Sequence, residues 1–293
     1  MSMDSSNKSI VFAVGTGRCG TNFLHKVFSS EPEVVSYHER HPLEDTFHRF
    51  VKFHDLPIDD EGFLAVKEQG IMADIVSKKV YFESNAHLSL SIKELHERFG
   101  AKFIYMVRSP HKVVNSFIQK GWYEQPVIRK DVNKISNVQP NRIFPHHNFS
   151  RIVPVGDEGT KWESYSQVGK VAWFWKTINE RVLEQLSVLP KDSYEVIRLE
   201  DMNFQKFKAL EKMFGIAFHT DEKTFDKLVK TRPNKLNPQR TVASWNDKES
   251  EEFMFETKNL ASHFNYEVDL SEIIKKEIKK EVETKTFFSS FFK

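Results

Sequence analysis

Residues 10–28 read IVFAVGTGRCGTNFLHKVF, and the fold follows from how this stretch divides. Ile10 to Val14 is a short apolar run, the pattern of a buried parallel strand. Gly15, Gly17 and Gly20 follow at once; they let the backbone turn sharply and approach a ligand closely. Thr21 to Phe28 then carries Phe23, Leu24, Val27 and Phe28 on one face at helical spacing. A strand, a glycine-rich turn and a helix N-terminus, in that order, make an anion site. Backbone N–H groups converge there and the helix dipole favours negative charge. The expected ligand is a phosphate or sulfate ester.

Gly15 and Gly20 have the G-x-x-x-x-G spacing of a nucleoside-triphosphate loop. That loop next needs Lys for the β/γ-phosphates and Ser or Thr for Mg²⁺. Thr21 and Asn22 stand at those positions, so a magnesium-dependent NTPase is disfavoured at both. A cation, Arg18, lies inside the loop instead.

Outward from this stretch, strands and helices alternate. Glu33 to Tyr37 (EVVSY) reads as a second strand and runs into His38-Glu39-Arg40-His41-Pro42. A polar cluster just past a strand's carboxyl end is where open α/β sheets place ligands. Leu43 to Phe53 reads as a helix, and residues 55–62 (DLPIDDEG) are turn-rich. Val80 to Phe82 is a third strand ending in Glu83-Ser84-Asn85, and His87 to Phe99 a helix that Gly100 ends. Lys102 to Val107 (KFIYMV) is a buried strand with Arg108 at its end. Ser109-Pro110 then starts a helix, as N-cap and first helical residue, and Ser116 lies within it.

From Gly121 to Tyr165 regular patterning fades. The segment holds Trp122, Tyr123, His146, His147, Phe149, Trp162 and Tyr165 among scattered prolines. Loops this long inside a domain are usually functional or disordered, and a lid or acceptor-binding insertion is expected. His146-His147 has no carboxylate or Cys at ligand spacing, so a loop or acceptor contact is preferred over a metal site. Gln167 to Leu189 reads as a long helix and Tyr194 to Leu199 as a strand. Helices follow over Phe204 to Phe214 and Asp221 to Lys230, then a proline-broken loop at 231–246 and a helix over Glu249 to Phe264. Ile273, Ile274, Ile278 and Val282 mark a last amphipathic helix. The tail FFSSFFK packs on the body, pairs with another subunit or touches a membrane; packing is the commonest reason.

The alternation predicts an α/β fold: a single domain, with a central parallel β-sheet flanked by helices and a P-loop-like phosphate-binding turn after the first strand. The expected division is a core over about 10–267, the insertion at 121–165, and a C-terminal helix and tail at 268–293. At 39% hydrophobic and 29% charged residues, the chain of 293 is too apolar to be disordered. A net charge of +2 argues for no nucleic-acid partner. Cys19 is the only cysteine, which excludes an internal disulfide and suits a reducing compartment. The start, MSMDSSNKSI, shows no apolar signal region, and no apolar run reaches the roughly 18 residues of a membrane span. A soluble, cytoplasmic protein is expected.

The stretch GTGRCGTNFL closely resembles the 5′-phosphosulfate loop of the sulfotransferases that use 3′-phosphoadenosine 5′-phosphosulfate (PAPS). Their usual pattern is K/R-x-G-T-x-x-L, and Arg18, Gly20, Thr21 and Leu24 fill it. A second match lies in KFIYMVRSPHKVVNSF. Members of the family commonly carry an Arg at a strand end and a Ser eight residues later, here Arg108 and Ser116, and the pair holds the 3′-phosphate. The chemistry suits this, since a guanidinium is a two-pronged charged donor and a hydroxyl adds a short bond. Leu199-Glu200-Asp201-Met202 is a loose match to a further family feature.

The resemblance covers residue 10 to about 267. It implies a PAPS-dependent sulfotransferase that moves a sulfuryl group to a hydroxyl, or an amine, with no metal required. The backbone at Gly17, Cys19, Gly20, Thr21 and Asn22 would cradle the 5′-phosphosulfate. Arg18 stands where the family has its catalytic Lys or Arg, and Lys235 and Arg240 are candidate 3′-phosphate contacts. The acceptor hydroxyl must lose a proton as it attacks sulfur. Glu39 is the first choice of base, His38 the second and Glu83 a third. The acceptor is left open among a carbohydrate, a lipid-linked sugar, a peptide and a small molecule, with a lean toward carbohydrate or another biomolecule hydroxyl. Two other classes stay open: a P-loop kinase acting on a small metabolite, and a non-catalytic nucleotide-binding protein.

Overall fold

The computed structural model describes residues 8–124, 146, 149–230 and 240–279. Five strands form one sheet: β1 (Ser9–Val14), β2 (Val34–His38), β3 (Val80–Ser84), β4 (Lys102–Val107) and β5 (Tyr194–Arg198). Their order is β2-β3-β1-β4-β5, and every pairing is parallel. The α/β class and the single parallel sheet are therefore as the alternation of strands and helices predicts. Parallel strands are covered on both faces, which is why β1 and β4 read as near-unbroken apolar runs.

The path of the chain positions the site. From central β1 it moves to the edge strand β2, returns to β3, then crosses over to β4 on the other side. Such a reversal opens a crevice beyond the carboxyl ends of the strands. Those ends are tied together by the backbone: Asn85 N–H donates to Ala13 O at 2.8 Å, and Glu39 N–H to Ser84 O at 3.2 Å.

Six helices matter for the site and its support: α1 (Thr21–Phe28), α2 (Pro42–Phe53), α3 (Glu61–Ile75), α4 (Ile92–Phe99), α5 (Pro110–Ile118) and α6 (Gly156–Glu163). The long helix Gln167–Ser187 follows, and Asp247–His263 is a late one. The helix expected over His87 to Phe99 is broken. A short 3-10 helix, Ala86–Leu90, comes first, begun by the Asn85 side chain, which accepts from His87 N–H. Ser91 then leaves helical geometry, with its hydroxyl 2.8 Å from His48 Nδ1. Helix α3 has no counterpart in the sequence-based expectation. No helix among the described residues is long and apolar enough to cross a membrane.

The chain divides into two compact units. The first comprises Met1–Arg108, Arg129–Ile152 and Thr177–Lys235 and holds the whole sheet. Its aromatic core centres on Phe28, whose ring lies 4.6 Å from Phe82, 4.5 Å from Phe214 and 5.4 Å from Phe218. The second comprises Ser109–Ile128, Val153–Lys176 and Leu236–Lys293. It has its own aromatic core, with Phe117 4.2 Å from Trp122 and Tyr123 5.0 Å from Trp162. Tyr123 and Trp162, read as part of the insertion, are buried there.

Candidate active site at the strand ends

The turn after β1 leaves no room for a side chain at Gly15. A Cβ there would lie 2.4 Å from the Met106 carbonyl oxygen and 2.8 Å from Cys19 Sγ. Gly17, Arg18 and Gly20 all have positive φ, at 81°, 57° and 103°. Successive residues of this kind turn their peptide N–H groups to one side and form an anion-binding concavity. Arg18 is the unusual member, because a left-handed conformation costs a non-glycine residue about 1–2 kcal/mol. The Arg108 guanidinium helps to hold it, donating from Nη1 to Arg18 O at 2.8 Å. Ser89 Oγ accepts from Gly15 N–H at 3.1 Å and lies 2.7 Å from Gly15 O, which fixes the entry to the turn.

Helix α1 starts directly from this turn with Gly20 as its N-cap. No side chain caps it and its first turn carries no acid, so its positive end faces the concavity without an internal counter-charge. Asn22 Oδ1 is buried at this end with no hydrogen-bond partner among the described residues. Burial lowers the pKa of Arg18 below its ordinary value, and the neighbouring charge of Arg108 lowers it further. Two like charges held together in a half-buried place repel, and a bound anion relieves that repulsion. The cradle and its charges thus suit an anionic ligand. Cys19 is fully buried and burial pushes its thiol up, so its side chain fills the inside of the turn.

The second part of the site lies past β2 and β3. Glu39 is in the left-handed region, at φ 52°. Its turn is pinned on both sides: Glu39 N–H donates to Ser84 O, and Arg40 N–H to Glu83 Oε1 at 3.2 Å. The Glu39 carboxylate lies between two imidazoles, 3.9 Å from His38 Nδ1 and 3.7 Å from His87 Nε2. Burial lowers the pKa of His38, with Glu83 opposing, and burial likewise lowers His25, whose ring centre is 6.3 Å from that of His38. Both are therefore neutral at pH 7, and a neutral imidazole can accept a proton. His146 brings its ring to 6.3 Å from His87. His87 is the member of the site that sequence reasoning misses. The signal that could find it is its place just past β3, matching the place of His38 at the end of β2.

Glu83, the third candidate base, is fully buried. Its oxygens accept from Lys67 Nζ at 3.0 and 3.1 Å, from Tyr81 OH at 2.8 Å and from Asn85 Nδ2 at 2.9 Å, besides Arg40 N–H. Burial pushes its pKa up, but Lys67, Asn85 and Tyr81 outweigh burial and leave it below the usual carboxylate range. Lys67 also donates to Asp45 Oδ2 at 2.9 Å. One buried cation thus serves two buried carboxylates. Burial raises the pKa of Asp45 most, and Glu83 adds to it against the larger pull of Lys67, bringing it to about 7. This network holds the turn that carries Glu39.

Ser116, on α5, and Arg240 belong to the second unit. Arg240 Nη2 pairs with the Glu249 carboxylate at 2.6 and 2.7 Å. Ser109 is the N-cap of α5 as expected, but its hydroxyl lies 2.8 Å from His111 Nδ1 and makes no capping bond. Lys235, His147 and the C-terminal tail lie outside the described residues.

No family model and no curated protein matches the chain. Among solved structures the chain is similar to a sulfotransferase domain from the curacin biosynthetic pathway. The two are 14% identical, with a TM-score of 0.46, over 89% of this chain and 99% of that domain. It is also similar to the sulfotransferase domain of the Synechococcus PCC 7002 olefin synthase. There the identity is 15% and the TM-score 0.46, over 91% of this chain and 98% of the other.

Proposed function

We propose that this chain is a sulfotransferase that moves the sulfuryl group of PAPS to a hydroxyl acceptor in the cytoplasm. The observation that carries the reading is the pairing of Arg18 with Arg108 at an uncapped helix N-terminus on a left-handed, glycine-bearing turn. A site with two guanidiniums, a nest of N–H groups and no P-loop lysine suits an anionic ester held without magnesium. The donor supplies the sulfuryl group and a 3′-phosphate for recognition.

The roles proposed are those that the resemblance implies. The backbone at Gly17, Cys19, Gly20, Thr21 and Asn22 binds the 5′-phosphosulfate. Arg18 stabilises charge that builds on the bridging oxygen as the S–O bond to the leaving group breaks. Arg108 and Ser116 bind the 3′-phosphate, with Lys235 and Arg240 as further contacts. Glu39 takes the proton of the acceptor hydroxyl as its oxygen bonds to sulfur, and His38 is the second carrier. His87 faces Glu39 and steadies its carboxylate.

Calorimetric titration with 3′-phosphoadenosine 5′-phosphate (PAP), AMP and Mg-ATP tests the donor. PAP is expected to bind best, and Arg108→Ala to weaken it by about tenfold or more, the value of a charge-assisted hydrogen bond. A preference for Mg-ATP would return the loop to the kinases. PAP binding without turnover of any acceptor would make the chain a binding protein.

A further inference from the structure

Arg240 opens a short stretch of chain, residues 240–246, that is pinned at three points, all within the second unit. Val242 N–H donates to Glu277 Oε2 at 3.2 Å, on the last described helix, residues 270–279. Trp245 Nε1 donates to Asn115 Oδ1 at 3.1 Å, on α5, and that bond is buried. Asn115 is the residue before Ser116. The third pin is Glu249, in the first turn of the helix Asp247–His263. Asn246 Oδ1 accepts from Glu249 N–H at 3.0 Å, and Glu249 Oε2 accepts from Asn246 N–H at 3.0 Å. This reciprocal pair is a capping box, which closes the start of the helix.

Glu249 has a second task. It is buried, and both of its oxygens accept from a single nitrogen of Arg240, Nη2, at 2.6 and 2.7 Å. A guanidinium carries five N–H donors on three nitrogens in one rigid plane. Among the described residues Nε and Nη1 of Arg240 have no acceptor, and its side chain is 29% exposed. The capping box does not call for this cation, because a neutral Gln serves in it as well as Glu. The pair with Arg240 therefore does something besides closing the helix. A guanidinium held at one nitrogen by a fixed, buried carboxylate has lost most of its rotamer freedom in advance, while its other N–H groups stay available to an anion.

We propose that Glu249 is a positioning residue for the 3′-phosphate of the donor: it holds Arg240 by Nη2 and so presents Nε and Nη1 to that phosphate. This rests on the reading of Arg240 as a 3′-phosphate contact. The sign of the effect separates positioning from charge alone. A carboxylate near an anion site repels the anion, so on charge alone its removal tightens binding. Removal of a positioning carboxylate loosens binding, because the phosphate must then order a free side chain.

The test uses the full chain and calorimetric titrations with PAP and with AMP, which lacks the 3′-phosphate. Glu249→Gln keeps a residue fit for the capping box and removes the charge that holds Arg240. It should weaken PAP binding by about tenfold and leave AMP binding as in wild type. Arg240→Ala should weaken PAP at least as much, and adding Glu249→Gln to it should bring no further loss, as expected of a residue that acts through another. Arg240→Lys keeps the ion pair but has one nitrogen for two tasks, so it too should weaken PAP and not AMP. Circular dichroism checks the fold, and Arg240→Lys carries the test if Glu249→Gln does not fold. Three results would overturn the proposal: PAP affinity in Glu249→Gln equal to or above that of wild type, equal losses for PAP and AMP, or losses that add in the double variant. Unchanged PAP affinity in Arg240→Ala or Arg240→Lys would also overturn it. The donor reading fails on a different result, equal affinity of the wild type for PAP and AMP, which removes the 3′-phosphate contact as well.

Discussion

Gly15 sits where the backbone of β4 comes close to the glycine turn, and the obstacle to a side chain there is the Met106 carbonyl, which cannot swing away. Gly15→Ala should therefore cost on the order of 2–3 kcal/mol of stability, read as a lowered urea midpoint, and should weaken PAP binding with it. Arg18 carries a different burden. Its charge is held beside Arg108 in a half-buried place, and the proposed reaction gives it the charge that grows on the leaving group. Arg18→Ala should lower kcat by about a hundredfold or more, the usual loss for one electrostatic stabiliser, and Arg18→Lys should recover part of it. An unchanged kcat in Arg18→Ala would remove this residue from the reaction. Such positions stand out in the sequence because closely spaced glycines with a cation among them suit an anion-binding turn. His87 is not legible in that way: it reaches Glu39 only through the parallel register that sets His38 beside Ser84.

Helices α2 and α3 show why elements with buried charge escape pattern reading. In α3, Leu64, Lys67, Ile71 and Ile75 form the inward stripe, and Lys67 interrupts it with a charge that is 1% exposed. A lysine in that place looks like surface until Asp45 and Glu83 are known to lie opposite. Lys67→Met should cost about 3–5 kcal/mol in chemical denaturation, because it leaves two carboxylates buried without a cation. The strand, glycine turn and helix around β1 need no such partner, and their limits are readable to within a residue.

The same network gives a pH dependence whose sign can be fixed. Folded Asp45 holds its proton to about pH 7, while its ordinary value is 3.8. Between those values the folded chain binds the proton and the unfolded chain does not, so rising pH takes stability away until about 7. His48 acts the other way. Burial lowers it below its ordinary 6.5, against Asp60, so its contribution is full above 6.5 and is lost as pH falls. Asp45→Asn removes only the first effect. Relative to wild type, the variant should gain stability as pH rises from about 4 to 7, measured by urea midpoints across that range. A constant difference would place the titrating proton elsewhere.

Across the whole molecule, 43 basic and 41 acidic side chains nearly cancel, so the net charge gives little long-range attraction for the anionic donor proposed above. Long-range steering is weak in such a case, and screening should act mainly on the bound state. The association rate of PAP should change by less than about threefold between low and moderate salt, while its dissociation quickens; stopped-flow traces separate the two. The molecule also owns a single sulfhydryl, Cys19, sealed inside the glycine turn with its Sγ against the space above Gly15. Alkylation by iodoacetamide can occur only when that turn comes apart. The labelling rate is therefore a clock built into the native chain. It counts loop openings without any added reporter, and saturating PAP should slow it.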